Sequence, residues 1–152
     1  MATLNYADVL ALSEGTIFVT MDGKNIPLIE VEEATASIEF NKEDVFALGK
    51  RFKGSKVTSA TGKGKMTSYF MRSTWNGLMQ EYKNSGYLPR MTMTATMEDK
   101  SSTLGKQVVT ISNFMPDKVD LFMLKADDGI AENEMDFTFD DFTLTESFTD
   151  MK

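Results

Sequence analysis

The 152-residue sequence contains no cysteine and no histidine. The first absence removes disulfides and thiolate nucleophiles; the second removes a principal zinc ligand and the imidazole base of most catalytic triads. Any catalysis would have to run on carboxylates or lysines alone, so no enzyme activity, metal site or cofactor is expected. No segment approaches the roughly 18 apolar residues that read as a membrane span, and the first residues lack a basic region followed by an apolar run. The chain is therefore expected to stay on the cytosolic side, where it is made, until something else releases it. Basic residues are also in the minority, 16 Lys and Arg against 23 Asp and Glu for a net charge of −7. Surfaces that grip nucleic-acid phosphates depend on a cationic excess, so this chain is not built to hold DNA.

What is present is a core-forming chain. At 41% hydrophobic residues, residues 1–152 are expected to form a single globular domain. The most informative stretch lies near the end, where Met135, Phe137 and Phe139 alternate with Glu134, Asp136, Thr138 and Asp140. Successive strand side chains point to opposite faces, so this is a half-buried strand with one apolar and one acidic face. Asp140-Asp141 breaks the phase before Phe142 and Leu144 resume it, as a β-bulge would allow. As a catalytic pair these two carboxylates are disfavoured, because neighbours on a strand face opposite ways.

Earlier segments read the same way. Residues 1–14 show no period and form an N-terminal arm that packs on something. Residues 16–20 and 26–31 are β-rich by composition and flank Asp22-Gly23, a hairpin-turn pair. Ala34, Ala36, Ile38 and Phe40 alternate with polar residues, giving another strand with one wet face. Residues 41–65 change character: seven Lys and Arg fall among Gly49, Gly54, Gly62 and Gly64, with only Val45, Phe46, Leu48 and Phe52 as anchors. So basic and glycine-rich a stretch reads as a long hairpin or loop, mobile when alone, that orders by adding to a neighbouring subunit. A plain solvated loop is the competing reading.

Residues 66–71 form a further strand leading into one helix, about 73–85. Ser73 or Thr74 is its N-cap, Trp75, Leu78, Met79 and Tyr82 share a face, and Gly86 sits where a left-handed C-cap is wanted. Gly77 costs the helix about 1 kcal/mol against alanine, tolerable if a strand passes close. Trp75 is expected in the core. Met91, Met93, Ala95 and Met97 alternate with threonines, and these methionines are core filler rather than a ligand surface. A polar turn over 97–105 returns the chain at 107–111, and Pro116-Asp117-Lys118 turns into an apolar stretch at 119–124. Asp127-Asp128-Gly129 lacks the ligand spacing and closing Glu of a calcium loop. The sum is a mainly β (α+β) fold, antiparallel strands in a sandwich or rolled sheet with one flanking helix.

From about Gly54 onward the order of segments resembles the tail tube proteins of phages and phage-like elements of the PBSX type. The landmarks are the Lys-Gly segment from 54 to 64 running into Thr67-Ser68-Tyr69, the Arg72-Ser73-Thr74 lead-in to the helix, and Met79-Gln80-Glu81-Tyr82-Lys83-Asn84-Ser85-Gly86. The Asp99-Lys100-Ser101-Ser102-Thr103-Leu104-Gly105 turn is another. The ending Glu132-Asn133-Glu134-Met135-Asp136-Phe137-Thr138-Phe139-Asp140-Asp141-Phe142 matches best. The first dozen residues do not map onto the family pattern. The resemblance implies hexameric rings stacked into a hollow tube that carries DNA or acts as a membrane-piercing core. It also implies partners: a tail sheath, a tape measure, a tail terminator and baseplate proteins, in a phage tail or tail-like particle assembled in the bacterial cytoplasm.

Two sets of residues suit that role. An acidic wall repels phosphates within a Debye length of about 8 Å at physiological ionic strength, so a conduit for DNA gains from it. The candidate lumen-facing acids are Glu39, Glu98, Glu134, Asp136 and Asp140. The candidate assembly residues are Lys42, Val45, Phe46, Lys50, Arg51, Phe52, Lys53, Lys56 and Lys63, of mostly basic character, set against Asp127, Asp128 and Glu132. Opposite charges on two patches fit a heterologous interface repeated around a ring or between rings. The rival readings are a secreted ring-forming tube of the type VI kind and a monomeric β-sandwich binding module presenting Trp75, Tyr69 or Tyr87.

Overall fold

The structure, a computed structural model, describes residues 4–149; the expected arm and domain extend beyond these limits at residues 1–3 and 150–152. Among the described residues, nine strands form two antiparallel sheets, accompanied by one α-helix. The first sheet has five strands: β1 (Gly15–Met21), β2 (Lys24–Pro27), β5 (Met91–Glu98), β6 (Lys106–Ser112) and β9 (Asp141–Glu146), in the order β2-β1-β5-β6-β9. The second has four: β3 (Val31–Val45), β4 (Gly54–Tyr69), β7 (Met115–Pro116) and β8 (Glu132–Phe139), in the order β3-β4-β8-β7. Helix α1 (Thr74–Ser85) follows β4.

Local chemistry explains most of these elements. Asp22 and Gly23 both adopt positive φ, 50° and 78°, the geometry of a tight hairpin turn between β1 and β2. The second strand of that hairpin ends at Pro27, earlier than its composition predicts, and Val31 already belongs to β3. Gly86 closes α1 with φ of 76° and its N–H on the Tyr82 carbonyl. Ser73 occupies the N-cap position without a side-chain capping bond. Gly77 faces open space, so no close-passing strand accounts for the glycine there.

The core lies between the sheets and under α1. Val19, Met91, Met93 and Ile111 of the five-stranded sheet meet Met66, Met135, Phe137 and Phe139 of the other. Trp75 and Leu78 bring the helix down onto this cluster, and Phe114 links the two, its ring 6.0 Å from Trp75 and 4.8 Å from Phe137. Burying side chains of this size is worth about 1.5–3 kcal/mol each.

Two expectations are corrected. The ending is not one bulged strand: β8 stops at Phe139 in the four-stranded sheet, and Phe142 restarts in β9 against Ile111 of the five-stranded one. The break at Asp140-Asp141 is the corner where the chain changes sheets: Phe139 is buried at the end of β8, whereas Phe142, on the face of Ile111 by register, is about half-exposed on the edge strand. The expected turn at Pro116-Asp117-Lys118 instead begins as strand, since Pro116 belongs to β7, and the apolar stretch at 119–124 that follows is irregular, with Leu121, Phe122 and Leu124 exposed.

Residues 41–65 are a regular hairpin rather than a loop. The 15 residues of β3 and 16 of β4 pair from Val31–Ser68 out to Val45–Gly54, with a bulge after Asn41. The glycines have a packing reason. Gly62 and Gly64 face the core opposite Phe139 and Phe137, and the rings fill the space a Cβ would take. The alternating Lys63 and Lys65 point to solvent.

Candidate assembly surfaces

Three surfaces carry the residues singled out in the sequence. The first is the outer face of the four-stranded sheet. Directly opposed residues of an antiparallel pair share a face, so Glu33, Thr67 and Glu134 form one row, and Thr35, Lys65 and Asp136 the next. Ser37, Lys63 and Thr138 form the third row, with Glu39 beyond it. Of the five candidate lumen acids, Glu39, Glu134 and Asp136 therefore lie together. Glu98 lies on the other sheet opposite Lys106, and Asp140 sits at the corner, accepting from Asn113 Nδ2 at 2.6 Å. The face is mixed rather than purely acidic: Lys63 Nζ is 3.1 Å from Glu39 and Lys65 Nζ is 3.3 Å from Glu134. Both pairs are exposed and worth little stability, about 0–1 kcal/mol. Between them lies an open trough of about 390 Å³ bounded by Lys63, Lys65, Asp117 and Asp136.

The second surface is the distal hairpin. Pairing with β8 ends at Gly62, so β4 from Gly54 to Thr61 is supported by β3 alone. Its tip exposes Phe46, Leu48 and Phe52, the latter two fully. Lys42, Lys50, Arg51 and Lys56 form no ion pair among the described residues, whereas Lys53 binds Asp44 at 2.9 Å. The third surface is the irregular segment between β7 and β8. Asp127 and Asp128 are exposed there beside Leu121, Phe122, Leu124 and Ile130, with Glu132, also exposed, at the first position of β8. Asp127 lies 3.1 Å from Lys125 and closes a local turn by accepting the Gly129 N–H, and those two contacts hold its carboxyl below the usual range.

Two polar devices escaped the sequence reading. At the start of α1, Arg72 Nε donates to Glu30 Oε1 at 2.6 Å, and its terminal nitrogen donates to Glu30 Oε2 at 3.1 Å and the Pro27 carbonyl at 2.9 Å. Burial alone would raise the Glu30 pKa, but the hydrogen bond from Arg72, a backbone N–H and the Arg72 charge outweigh it and leave the group lowered. No local signal pairs residues 42 positions apart. At the other end the arm docks on the 99–104 turn. Asp8 accepts the Thr103 N–H and hydroxyl, each at 2.8 Å, and Asp99 accepts the Ala11 N–H at 3.1 Å together with the Ser101 N–H and hydroxyl. These bonds depress both carboxyls, Asp8 chiefly through the Thr103 N–H and Asp99 chiefly through the Ser101 hydroxyl.

The architecture recurs in solved structures. A chain of the anti-feeding prophage baseplate superposes with a TM-score of 0.64 at 10% identity, covering 95% of this chain and 97% of that one. A chain of the PVC extracellular contractile injection system, in its sheath-tube complex, gives 0.60 at 11% identity over 90% and 91%. One from the virion of a native gene transfer agent gives 0.54 at 14% identity over 97% and 100%. Two sheets, one helix and a projecting hairpin thus define a tail-tube-like fold of the kind found in contractile injection systems.

Sequence narrows the class to a family. Residues 2–146 match the family described as "Phage tail tube protein", and the chain belongs to it. It is 33% identical over 147 residues to the phage-like element PBSX protein XkdM of Bacillus subtilis (strain 168), covering 97% of each chain. It is likewise 33% identical over 143 residues to the uncharacterized protein YqbM of the same strain, covering 94% and 95%. The protein is a structural component of a phage tail or tail-like particle, and not an enzyme.

Proposed function

We propose that copies of this chain assemble into hexameric rings that stack into the hollow inner tube of a phage tail or tail-like particle, a conduit for DNA or a membrane-piercing core. The observation that carries this reading is the distal hairpin. Eight residues of β4, about 25 Å at strand spacing, project beyond the sheet with exposed apolar side chains at their tip. Apolar surface of that kind marks an interaction site. Six-fold order is supported by the related assemblies, since the anti-feeding prophage baseplate is 6-fold symmetrised and the gene transfer agent tail has C6 symmetry.

In this reading the outer face of the four-stranded sheet lines the bore. It gathers Glu33, Glu39, Glu134 and Asp136 against Lys63 and Lys65, leaving an acidic surplus to repel phosphates while the lysines hold the carboxylates in place. The free cations Lys42, Lys50, Arg51 and Lys56 of one subunit meet Asp127, Asp128 and Glu132 of another. Val45, Phe46 and Phe52 are buried in the same contact, beside Lys53, whereas Lys63, paired with Glu39, belongs to the bore-facing sheet surface. Matches to chains in a sheath-tube complex, a baseplate and a sheath/tube terminator support partners of those kinds, with a tape measure alongside them.

Negative-stain electron microscopy of the purified chain at high concentration tests the proposal. Tubes or stacked rings are expected. A chain that stays monomeric by size-exclusion chromatography across the concentration range would point instead to a binding module, and short rings that never extend would point to a type VI-like carrier.

A further inference from the structure

The long ribbon of β3 and β4 changes character part of the way along its length. From Tyr69 back to Gly62, β4 is held on both sides, by β3 and by β8. Past Gly62 only the β3–β4 ladder remains, and every residue from 42 to 60 is exposed. Phe40, which continues the core-facing row of Ala34, Ala36 and Ile38, is already 61% exposed. The ladder then runs through Glu39–Thr61, Phe40–Ala60 and Asn41–Ser59 before it skips Thr58 and resumes at Lys42–Val57.

Thr58 is thus one extra residue on β4. Such a bulge bends its strand, raises the local twist and leaves ladder groups unpaired. Side chains at the break take up that polarity. Thr58 Oγ1 donates to the Asn41 carbonyl at 3.1 Å, while Asn41 Nδ2 donates to Ser59 Oγ at 2.9 Å and to Thr61 Oγ1 at 3.3 Å. One asparagine therefore engages three neighbours of the opposite strand across the bulge. Beyond it lies a short closed unit, four ladder pairs from Lys42–Val57 to Val45–Gly54, with Lys53 bound to Asp44 at 2.9 Å near the tip.

We propose that this bulge is a hinge. The ribbon as far as Asn41 and Ser59 moves with the sandwich, residues 42–57 pivot about Thr58 as one unit, and the Asn41 side chain is the positioning group that sets the resting angle. Hinges concentrate backbone change in a few residues between bodies that keep their own structure. Here the two bodies are the sandwich with the supported half of the ribbon, and the distal ladder. The hinge belongs to the single chain and stands apart from the tube reading. It gives a rigid sandwich a projecting element whose direction can differ between a free chain and any assembly that the chain enters.

The absence of native cysteine lets paired spin labels be placed at will. Ser55→Cys/Asn84→Cys reports the distal unit against α1, and Ser37→Cys/Asn84→Cys reports the supported ribbon; all three positions are exposed. Double electron–electron resonance on the unassembled chain should give a distance distribution at least about twice as broad for the first pair as for the second. Deleting Thr58 brings Asn41–Ser59 directly beside Lys42–Val57 and removes only the bulge, so the first distribution should narrow to the width of the second. Asn41→Ala should broaden the first and leave the second as it was. Hydrogen exchange separates pivoting from fraying: amides of residues 42–45 and 54–57, taken together, should exchange more slowly than those of the tip at 47–52. Equal widths for the two pairs, a width unmoved by deletion of Thr58, or distal amides exchanging as fast as the tip would overturn the hinge, and none of these results bears on whether tubes form.

Discussion

The ring of Phe137 lies directly over the Cα of Gly64 on the neighbouring strand, and Phe139 covers Gly62 in the same way one step along. A Cβ at Gly62 would fall 2.5 Å from the Phe139 ring, and one at Gly64 would collide with Phe137 and sit 2.7 Å from the Thr35 carbonyl oxygen. Glycine to alanine in an extended strand ordinarily stabilises by restricting the unfolded chain. Here overpacking should reverse the sign, so Gly64→Ala and Gly62→Ala are each expected to destabilise by about 1–3 kcal/mol. Urea unfolding of the unassembled chain reads this directly. Unchanged midpoints would mean that the rings do not depend on those gaps.

The Arg72–Glu30 pair should be worth more than any surface pair. Only 6% of the Glu30 side chain is exposed, against 26% for Arg72. Arg72→Ala would strand a nearly buried carboxylate at the helix entrance, at a cost of about 3 kcal/mol, the low end for breaking a buried pair because Arg72 keeps partial solvent access. The pH dependence follows from the sign of the shift. Glu30 is lowered from its ordinary 4.5 in the folded chain, so its contribution is complete above that value and disappears as pH falls through the folded pKa. Thermal midpoints measured from pH 7 to 3 should fall less steeply below pH 4.5 in Glu30→Gln than in the unsubstituted chain. Parallel curves would remove Glu30 from the acid response.

These two cases mark what the sequence can convey. Period-two patterning made the apolar faces of β5 and β8 legible, and Asp22-Gly23 and Gly86 marked their turn and cap through backbone geometry. The Gly-Lys alternation at 62–65 has the same period. Composition alone nevertheless suggests flexibility, because the rings that fill the glycine sites come from residues some 75 positions away. The exchange of sheets at Asp140-Asp141 shows in sequence only as a phase slip, which a bulge explains equally well. The Arg72–Glu30 pair and the docking of the arm on Asp99 join distant segments and leave no local pattern. The candidate assembly residues were visible because charge and exposure are compositional, whereas the lysines' own partners Glu39, Asp44 and Glu134 required the register.

The arm makes a separate prediction. Asp99 is buried and joins residues 11 and 101, while Asp8 ties the arm to Thr103. Asp99→Ala should release residues 8–14 without unfolding the sheets. Hydrogen exchange should then show lost protection at Ala11 and Ser101 with little change at Met93 or Phe137, and limited proteolysis should cut within the arm first. Since Asp8 and Asp99 are both lowered from 3.8, the docked arm should also detach as pH falls through their folded pKa values. Uniform loss of protection would mean that the arm and sandwich unfold as one unit.

The final prediction concerns which face lines the bore. Glu134→Lys/Asp136→Lys would leave Glu33, Glu39 and Asp117 as the acids beside Lys63, Lys65 and two new lysines, reversing the sign of the wall without touching Met135 or Phe137 behind it. Tubes of this variant, assembled in the presence of DNA at low salt, should retain it, whereas unsubstituted tubes should not. The retained DNA should leave as salt rises, because each phosphate neutralised by lysine releases a counterion. Nuclease treatment supplies the discriminating measurement. DNA held inside the tube survives digestion until the tube is dissociated, while DNA bound outside is degraded at once. Nuclease-sensitive binding by the variant would place the four-stranded sheet on the exterior, and the acidic wall would then have to be sought on the threonine-rich outer face of the other sheet, around Glu98.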